Sequence, residues 1–125
     1  MKLMDLKKLR SHERTDSSKL KEVFLDLYET GILRQPVLVD EKNLIILDGH
    51  HRVKSLKMLG CKIVPAIMID YNGKKVKVES FSKTLKISKK MVRKAALLAN
   101  LLPPKTSKHI YNKEVFVNYP LDLLK

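Results

Sequence analysis

Apolar residues recur along this chain in two rhythms, and the change from one to the other divides it into elements. Leu20, Val23, Phe24, Leu27 and Tyr28 fall at i, i+3, i+4, i+7 and i+8, one stripe of a helix over 18–30 that Gly31 ends. Pro36-Val37-Leu38-Val39 and Leu44-Ile45-Ile46-Leu47 are short strands, joined as a hairpin by Asp40-Glu41-Lys42-Asn43. A second helix opens at His50 and stops at Gly60, with Lys57 in its last turn. The run 63–69 reads as a strand in which Pro65 marks an edge or an irregularity. Past the turn Asn72-Gly73, Val76 and Val78 alternate with Lys75, Lys77 and Glu79, the pattern of a half-buried strand. Ser88 caps a last helix running to about Asn100, with Met91, Ala95 and Leu98 facing inward, and Pro103-Pro104 stops it. Val115, Phe116, Val117 and Leu121 read as core. The pattern predicts an α/β (mixed α+β) domain with its most unusual residues at a strand–turn–helix junction.

Composition narrows this picture. The 125 residues, 44% of them apolar, suffice for one domain over 1–125 with a core of its own. No apolar run approaches the roughly 20 residues of a membrane span, and Met1-Lys2-Leu3-Met4-Asp5 lacks the apolar stretch of a signal peptide. One cysteine, Cys61, makes neither an internal disulfide nor a cysteine-based zinc site, so the expected location is cytoplasmic. The net charge of +13 favours polyanionic partners: nucleic acid, a membrane surface or nucleotide phosphates. Because the lysines are spread along the chain, a generally basic, solvated surface accounts for that charge as well as a dedicated nucleic-acid face does.

Three segments carry candidate chemistry. In Asp48-Gly49-His50-His51-Arg52 a glycine turn opens a helix whose first residues bear ring or guanidinium nitrogens. A helix N-terminus offers unpaired N–H groups and partial positive charge, which suits a phosphate. Neighbouring histidines point to different helix faces, so they make a poor metal pair but a two-sided phosphate clamp. The plain structural reading is that Asp48 caps the helix and the histidines are ordinary polar residues. Ser11-His12-Glu13-Arg14 precedes the first helix, where an isolated glutamate is ordinarily a solvated surface group. The third segment, 103–109, is a loop with two cations, two hydroxyls and a histidine; a solvated basic tail would look the same. No Walker-type glycine loop, HExxH or GxSxG motif is present.

Asp48-Gly49-His50-His51-Arg52, followed by Leu56 and Leu59-Gly60, resembles the signature of the ParB/sulfiredoxin superfamily. Within it the chain resembles the free L-serine kinases, which transfer a phosphoryl group from a nucleotide to serine and release O-phospho-L-serine. Those enzymes carry a His-Glu pair ahead of the first helix, the Asp-Gly-His-His-Arg turn, and a late Pro-Lys-Thr segment ending in basic residues and His. All three occur here in order, as His12-Glu13, 48–52 and 104–109. The resemblance implies a compact ParB/sulfiredoxin-like domain, a small mixed sheet flanked by helices. It also implies a Mg²⁺-dependent kinase with ATP, or second to it ADP, as donor and L-serine as acceptor, a product suited to cysteine biosynthesis.

Roles follow from the same resemblance. Glu13 would accept the hydroxyl proton, and Asp48 would orient the hydroxyl or hold Mg²⁺ against the phosphates. Gly49, His50, His51 and Arg52 would cradle the phosphates, with Arg14 as a further contact. Lys105, Thr106, Ser107 and His109 would bind the serine carboxylate and nearby phosphate oxygens. Sulfiredoxins need a cysteine where this chain has His50, and Cys61 lies a whole helix later. Partitioning ParB proteins have Glu-Arg-Arg at 50–52 and continue into a helix-turn-helix domain, for which 88–125 has too little room. The alternative is a ParB-like nucleic-acid-binding module without kinase activity. For the kinase, neither a specific nucleic acid nor a membrane is an expected partner.

Overall fold

The computed structural model describes residues 1–81, 86–111 and 113–125. Its elements are β1 (Lys2–Asp5), α1 (Ser17–Thr30), β2 (Ile32–Leu33), β3 (Val37–Asp40), β4 (Ile46–Asp48) and α2 (His50–Met58). They continue with β5 (Ile63–Ile69), β6 (Val76–Ser80), α3 (Lys89–Leu97), β7 (Ser107–Tyr111) and β8 (Tyr119–Pro120). A mixed four-stranded sheet runs β1-β5-β3-β4, with β3 parallel to β5 and the outer pairs antiparallel. Two small antiparallel ribbons, β2-β8 and β6-β7, complete the strands. The expected mixed α/β domain is thus the one found.

The apolar runs of β3 and β4 are continuous because the sheet is covered on both faces. Val37, Val39 and Ile46 point into a cluster with Leu27 of α1, Val53 and Leu56 of α2, and Val64 and Ala66 of β5. Leu38, Ile45 and Leu47 point the other way, towards Tyr71, Val76 and, on α3, Val92 and Ala96. Gly31 closes α1 in the left-handed conformation at φ 67°, its N–H bonded to the Leu27 carbonyl, as the sequence predicts.

Several sequence expectations shift. Pro65 does not mark an edge strand, since β5 lies between β1 and β3. Pairing with β3 begins only at Ala66, so the residue without an N–H sits where β5 has one neighbour. On α3 the buried residues are Val92, Ala95 and Ala96, whereas Met91 and Leu98 are exposed. Small side chains let this helix lie close to the second cluster, and the larger ones are left outside. Tyr28 and Phe24 do not enter the core: Tyr28 is 68% exposed and stacks on Phe24. In the last stretch Leu121 is buried and Phe116 is exposed. The loop expected over 103–109 gives way at Ser107 to β7. It is a polar strand whose Ser107 and His109 bond to interior groups, so apolar periodicity does not reveal it.

Candidate active site

The segment before α1 is pinned, not solvated. Ile46 N–H donates to the Arg10 carbonyl and Arg10 N–H to that of Leu44, both at 2.8 Å, which lays the segment against the start of β4. On its other side Leu102 N–H donates to the His12 carbonyl at 2.9 Å, and Arg14 N–H to the Leu102 carbonyl at 2.8 Å. Glu13 is thereby aimed at the start of β7. Its Oε1 accepts the Thr106 N–H at 3.1 Å, the Ser107 N–H at 2.8 Å and the Ser107 hydroxyl at 3.0 Å. Three donors on one oxygen fix the carboxylate's orientation.

At the junction of β4 and α2, Gly49 is the N-cap, at φ 108°, and no side chain caps the helix. Asp48 therefore does not cap it; the carboxylate is exposed and lies 3.5 Å from Arg52, one turn on. The first amides of α2 are left without a side-chain acceptor, which is the geometry of an anion site. Gly49 is required there. A Cβ on it would lie 2.6 Å from Val37 Cγ1 and 3.1 Å from an Arg52 nitrogen.

Beneath this turn lies a cluster of histidines. His12 and His50 meet edge to face at 4.6 Å between ring centroids, and His12 and His109 at 5.4 Å. His12 Nδ1 is 2.8 Å from the Ile46 carbonyl and Nε2 is 2.9 Å from the Ser107 hydroxyl. His50 Nε2 accepts the His12 N–H at 3.3 Å, and His109 Nε2 is 2.7 Å from the Tyr71 hydroxyl. Burial pushes His12 down to about 4, opposed by its bond to Ile46. Burial, then the neighbouring His12, pushes His109 down to about 3. Burial followed by the other histidines holds His50 well below the ordinary histidine value. Burial, opposed by the nearby Arg93, pushes Tyr71 above the ordinary tyrosine range.

A consequence for stability follows. These folded-state values lie below the ordinary 6.5, so below that pH the unfolded chain takes up protons that the folded chain refuses. Stability is complete above pH 6.5 and is lost as pH falls towards 4 and 3, by about 1.4 kcal/mol per unit for each such histidine. The melting temperature should drop steeply between about pH 6.5 and pH 4.5, and the His12 and His109 ring resonances should not titrate above about pH 5. Ring resonances titrating near 6.5 would refute neutral burial.

A cleft of about 440 Å³ collects Glu13, Asp48, Gly49, His50 and His51, facing Lys105, Ser107 and Lys108. The sequence did not single out two further lining residues, Lys19 and Phe81, and it gave Lys108 only as one of the two cations of the 103–109 segment. The first two sit on a helix face and in a bend, and neither carries a local signal. Arg52 lines a neighbouring cavity of about 290 Å³, which shares Asp48, Lys108 and His109 with the first. Its guanidinium donates to the Pro36 carbonyl at 3.1 Å. His50 is turned inward, so the cleft gains chiefly its backbone, while half-buried His51 accepts the Asp16 N–H at 3.0 Å. The Thr106 hydroxyl donates to its own loop at Pro103, and Lys105 lies 3.8 Å from Asp16. Arg14 is exposed and outside the cleft lining.

No protein-family model matches the chain. It is 37% identical over 79 residues to a ParB-like protein of Sulfolobus acidocaldarius, covering 63% of this chain and 39% of that one. An ATP-dependent L-serine kinase of Staphylothermus marinus matches at 35% over 83 residues, covering 63% of this chain and 33% of that one. An ADP-dependent L-serine kinase of Thermococcus kodakarensis matches at 33% over 79 residues, 60% of this chain and 33% of that one. The matched stretch is thus well under half of these relatives' length. Among solved structures, a free serine kinase in complex with AMP superposes with a TM-score of 0.90 at 15% identity, covering 99% of this chain and 93% of that one. A variant of a free serine kinase in complex with ADP gives 0.87. The fold defines the class, a mixed α/β domain with the fold of the free serine kinase structures. Within that class, 60–63% of the chain is similar in sequence to L-serine kinases that depend on ATP or on ADP.

Proposed function

We propose that this chain transfers the terminal phosphoryl group of ATP, or second to it ADP, to the hydroxyl of free L-serine. The observation that carries this reading is a glutamate immobilised by three hydrogen bonds, sharing one cleft with a helix N-terminus that no side chain caps. One half of that arrangement removes a proton and the other binds phosphate. The relatives named as L-serine kinases support the choice of substrate.

In this reading the donor's phosphates lie on the amides of α2, with Lys105 and Lys108 offsetting their charge from across the cleft. Serine lies between Glu13 and the terminal phosphorus. As its oxygen bonds to phosphorus and the phosphoanhydride bond breaks, its proton passes to Glu13. The lysine not engaged by phosphate is left for the serine carboxylate. Among the described residues no three His, Cys, Asp or Glu side chains gather as a metal cage. Mg²⁺ commonly takes one or two carboxylates and completes its shell with phosphate oxygens and water, so the exposed carboxylate of Asp48 fits it. Bound there, the ion would supply charge neutralisation at the phosphates. Arg52, beside Asp48, then limits where that carboxylate points.

The test is incubation of the purified protein with Mg²⁺, L-serine and either ATP or ADP. O-phosphoserine should form together with the matching nucleotide product, ADP or AMP. Hydrolysis of the nucleotide with no phosphoserine from either donor overturns the reading.

A further inference from the structure

Behind Glu13 stands a side chain that no part of the reaction yet uses. The Ser107 hydroxyl lies 3.0 Å from Glu13 Oε1 and 2.9 Å from His12 Nε2. His12 Nδ1 faces the Ile46 carbonyl, which only accepts, so Nδ1 carries the ring hydrogen. With the ring neutral, Nε2 is an acceptor. Two acceptors thus compete for a single hydroxyl hydrogen.

The charge on Glu13 decides the competition. While Glu13 is a carboxylate, donation to it is charge-assisted and wins. Once Glu13 is protonated at Oε2, Oε1 becomes an ordinary carbonyl oxygen already holding two backbone N–H groups. The imidazole nitrogen is then the better partner. We infer that the Ser107 hydroxyl turns between Glu13 and His12 as Glu13 gains and loses its proton, making Ser107 and His12 positioning residues for the base. The role in turnover rests on the kinase reading above; the hydroxyl exchange itself does not. The serine substrate's proton ends on Glu13, its oxygen bonds to phosphorus and the phosphoanhydride bond breaks. The Ser107 hydrogen stays on its own oxygen throughout.

The exchange gives the protonated base a satisfied neighbour and so favours proton acceptance. Removing the two members should therefore act in opposite senses. His12→Phe leaves the hydroxyl no partner but Glu13 and favours the carboxylate. The acidic limb of kcat should move down by about half to one pH unit, the worth of one ordinary hydrogen bond. Ser107→Ala keeps the backbone N–H but takes a donor from the carboxylate, and the limb should move up by a similar amount. In both, kcat should fall with little change in the serine KM, and adding His12→Phe to Ser107→Ala should move the limb no further. The titratable groups around His12 are His50 and His109. Those facing Glu13 are Lys19 from α1, Asp48 and His51 at the turn, Lys105 from the loop and Lys108 from β7. None of these residues is replaced in the variants, but His12→Phe also lifts the push of His12 on His50 and His109, which Ser107→Ala leaves in place.

Carbon-13 spectra of the Glu13 carboxyl, assigned by its loss in Glu13→Gln, follow the same titration without catalysis. Opposite midpoint shifts with no phosphoserine formed would keep the exchange and remove the kinase reading. Shifts in one direction, or none, with phosphoserine formed would overturn the exchange and leave the kinase. Should His12→Phe not fold, the parent decides. Its His12 Nε2 nitrogen resonance should move upfield, without gaining a hydrogen, through the midpoint of the Glu13 carboxyl. An Nε2 resonance that ignores that midpoint overturns the inference.

Discussion

Replacing Glu13 by glutamine should lower serine phosphorylation by about 10²- to 10⁴-fold, the usual worth of a general base. The change is close to isosteric. The amide oxygen can still accept the Thr106 and Ser107 N–H groups that hold the carboxylate, so the domain should melt within a few degrees of the parent. Nucleotide affinity should also persist, because the phosphates in this reading lie on the α2 amides and not on Glu13. Calorimetric titration with nucleotide and a phosphoserine assay separate the two effects. Near-parental turnover in Glu13→Gln would remove Glu13 from the chemistry, whatever its hydrogen bonds.

The largest effect on stability is expected at Gly49. Its φ of 108° lies outside the region L-residues adopt, and an added Cβ meets Val37 Cγ1 at 2.6 Å. Val37 is fully buried in the main cluster and cannot move aside without disturbing it. Backbone strain and overpacking together should cost about 2–5 kcal/mol, a fall of roughly 10–20 °C in melting temperature for a domain of this size. Gly31→Ala is the internal comparison. Gly31 also has positive φ, at 67°, but nothing lies within 4 Å of its Cβ position, so about 1 kcal/mol is expected. If Gly49→Ala melts no lower than Gly31→Ala, the close approach of the turn to β3 is not what demands glycine.

Both predictions depend on contacts between segments distant in the chain, and the division between what was legible and what was not follows that line. Periodicity and turn chemistry are local, and they located α1 with its Gly31 cap, the β3–β4 hairpin, α2, β5 and the Ser88 cap of α3. The strand–turn–helix junction was legible for the same reason, since glycine between an apolar run and a polar helix start has few other uses. The resemblance to the serine kinases also came from short contiguous motifs. β2 and β8 carry too few residues to show a rhythm, and β7 is polar where it meets the histidines.

By itself, then, the sequence determined the class of fold and the position of the strand–turn–helix junction, because both are set by patterns a few residues long. Tertiary structure decided which residues serve that turn. Glu13 reads as a solvated glutamate until Leu102 and β7 close over its segment and three donors converge on one oxygen. His50 reads as a cation for phosphate until burial among His12 and His109 makes the charged ring too costly and turns it into an acceptor. Burial and pairing arise between residues 38 to 95 positions apart, and no local pattern encodes them.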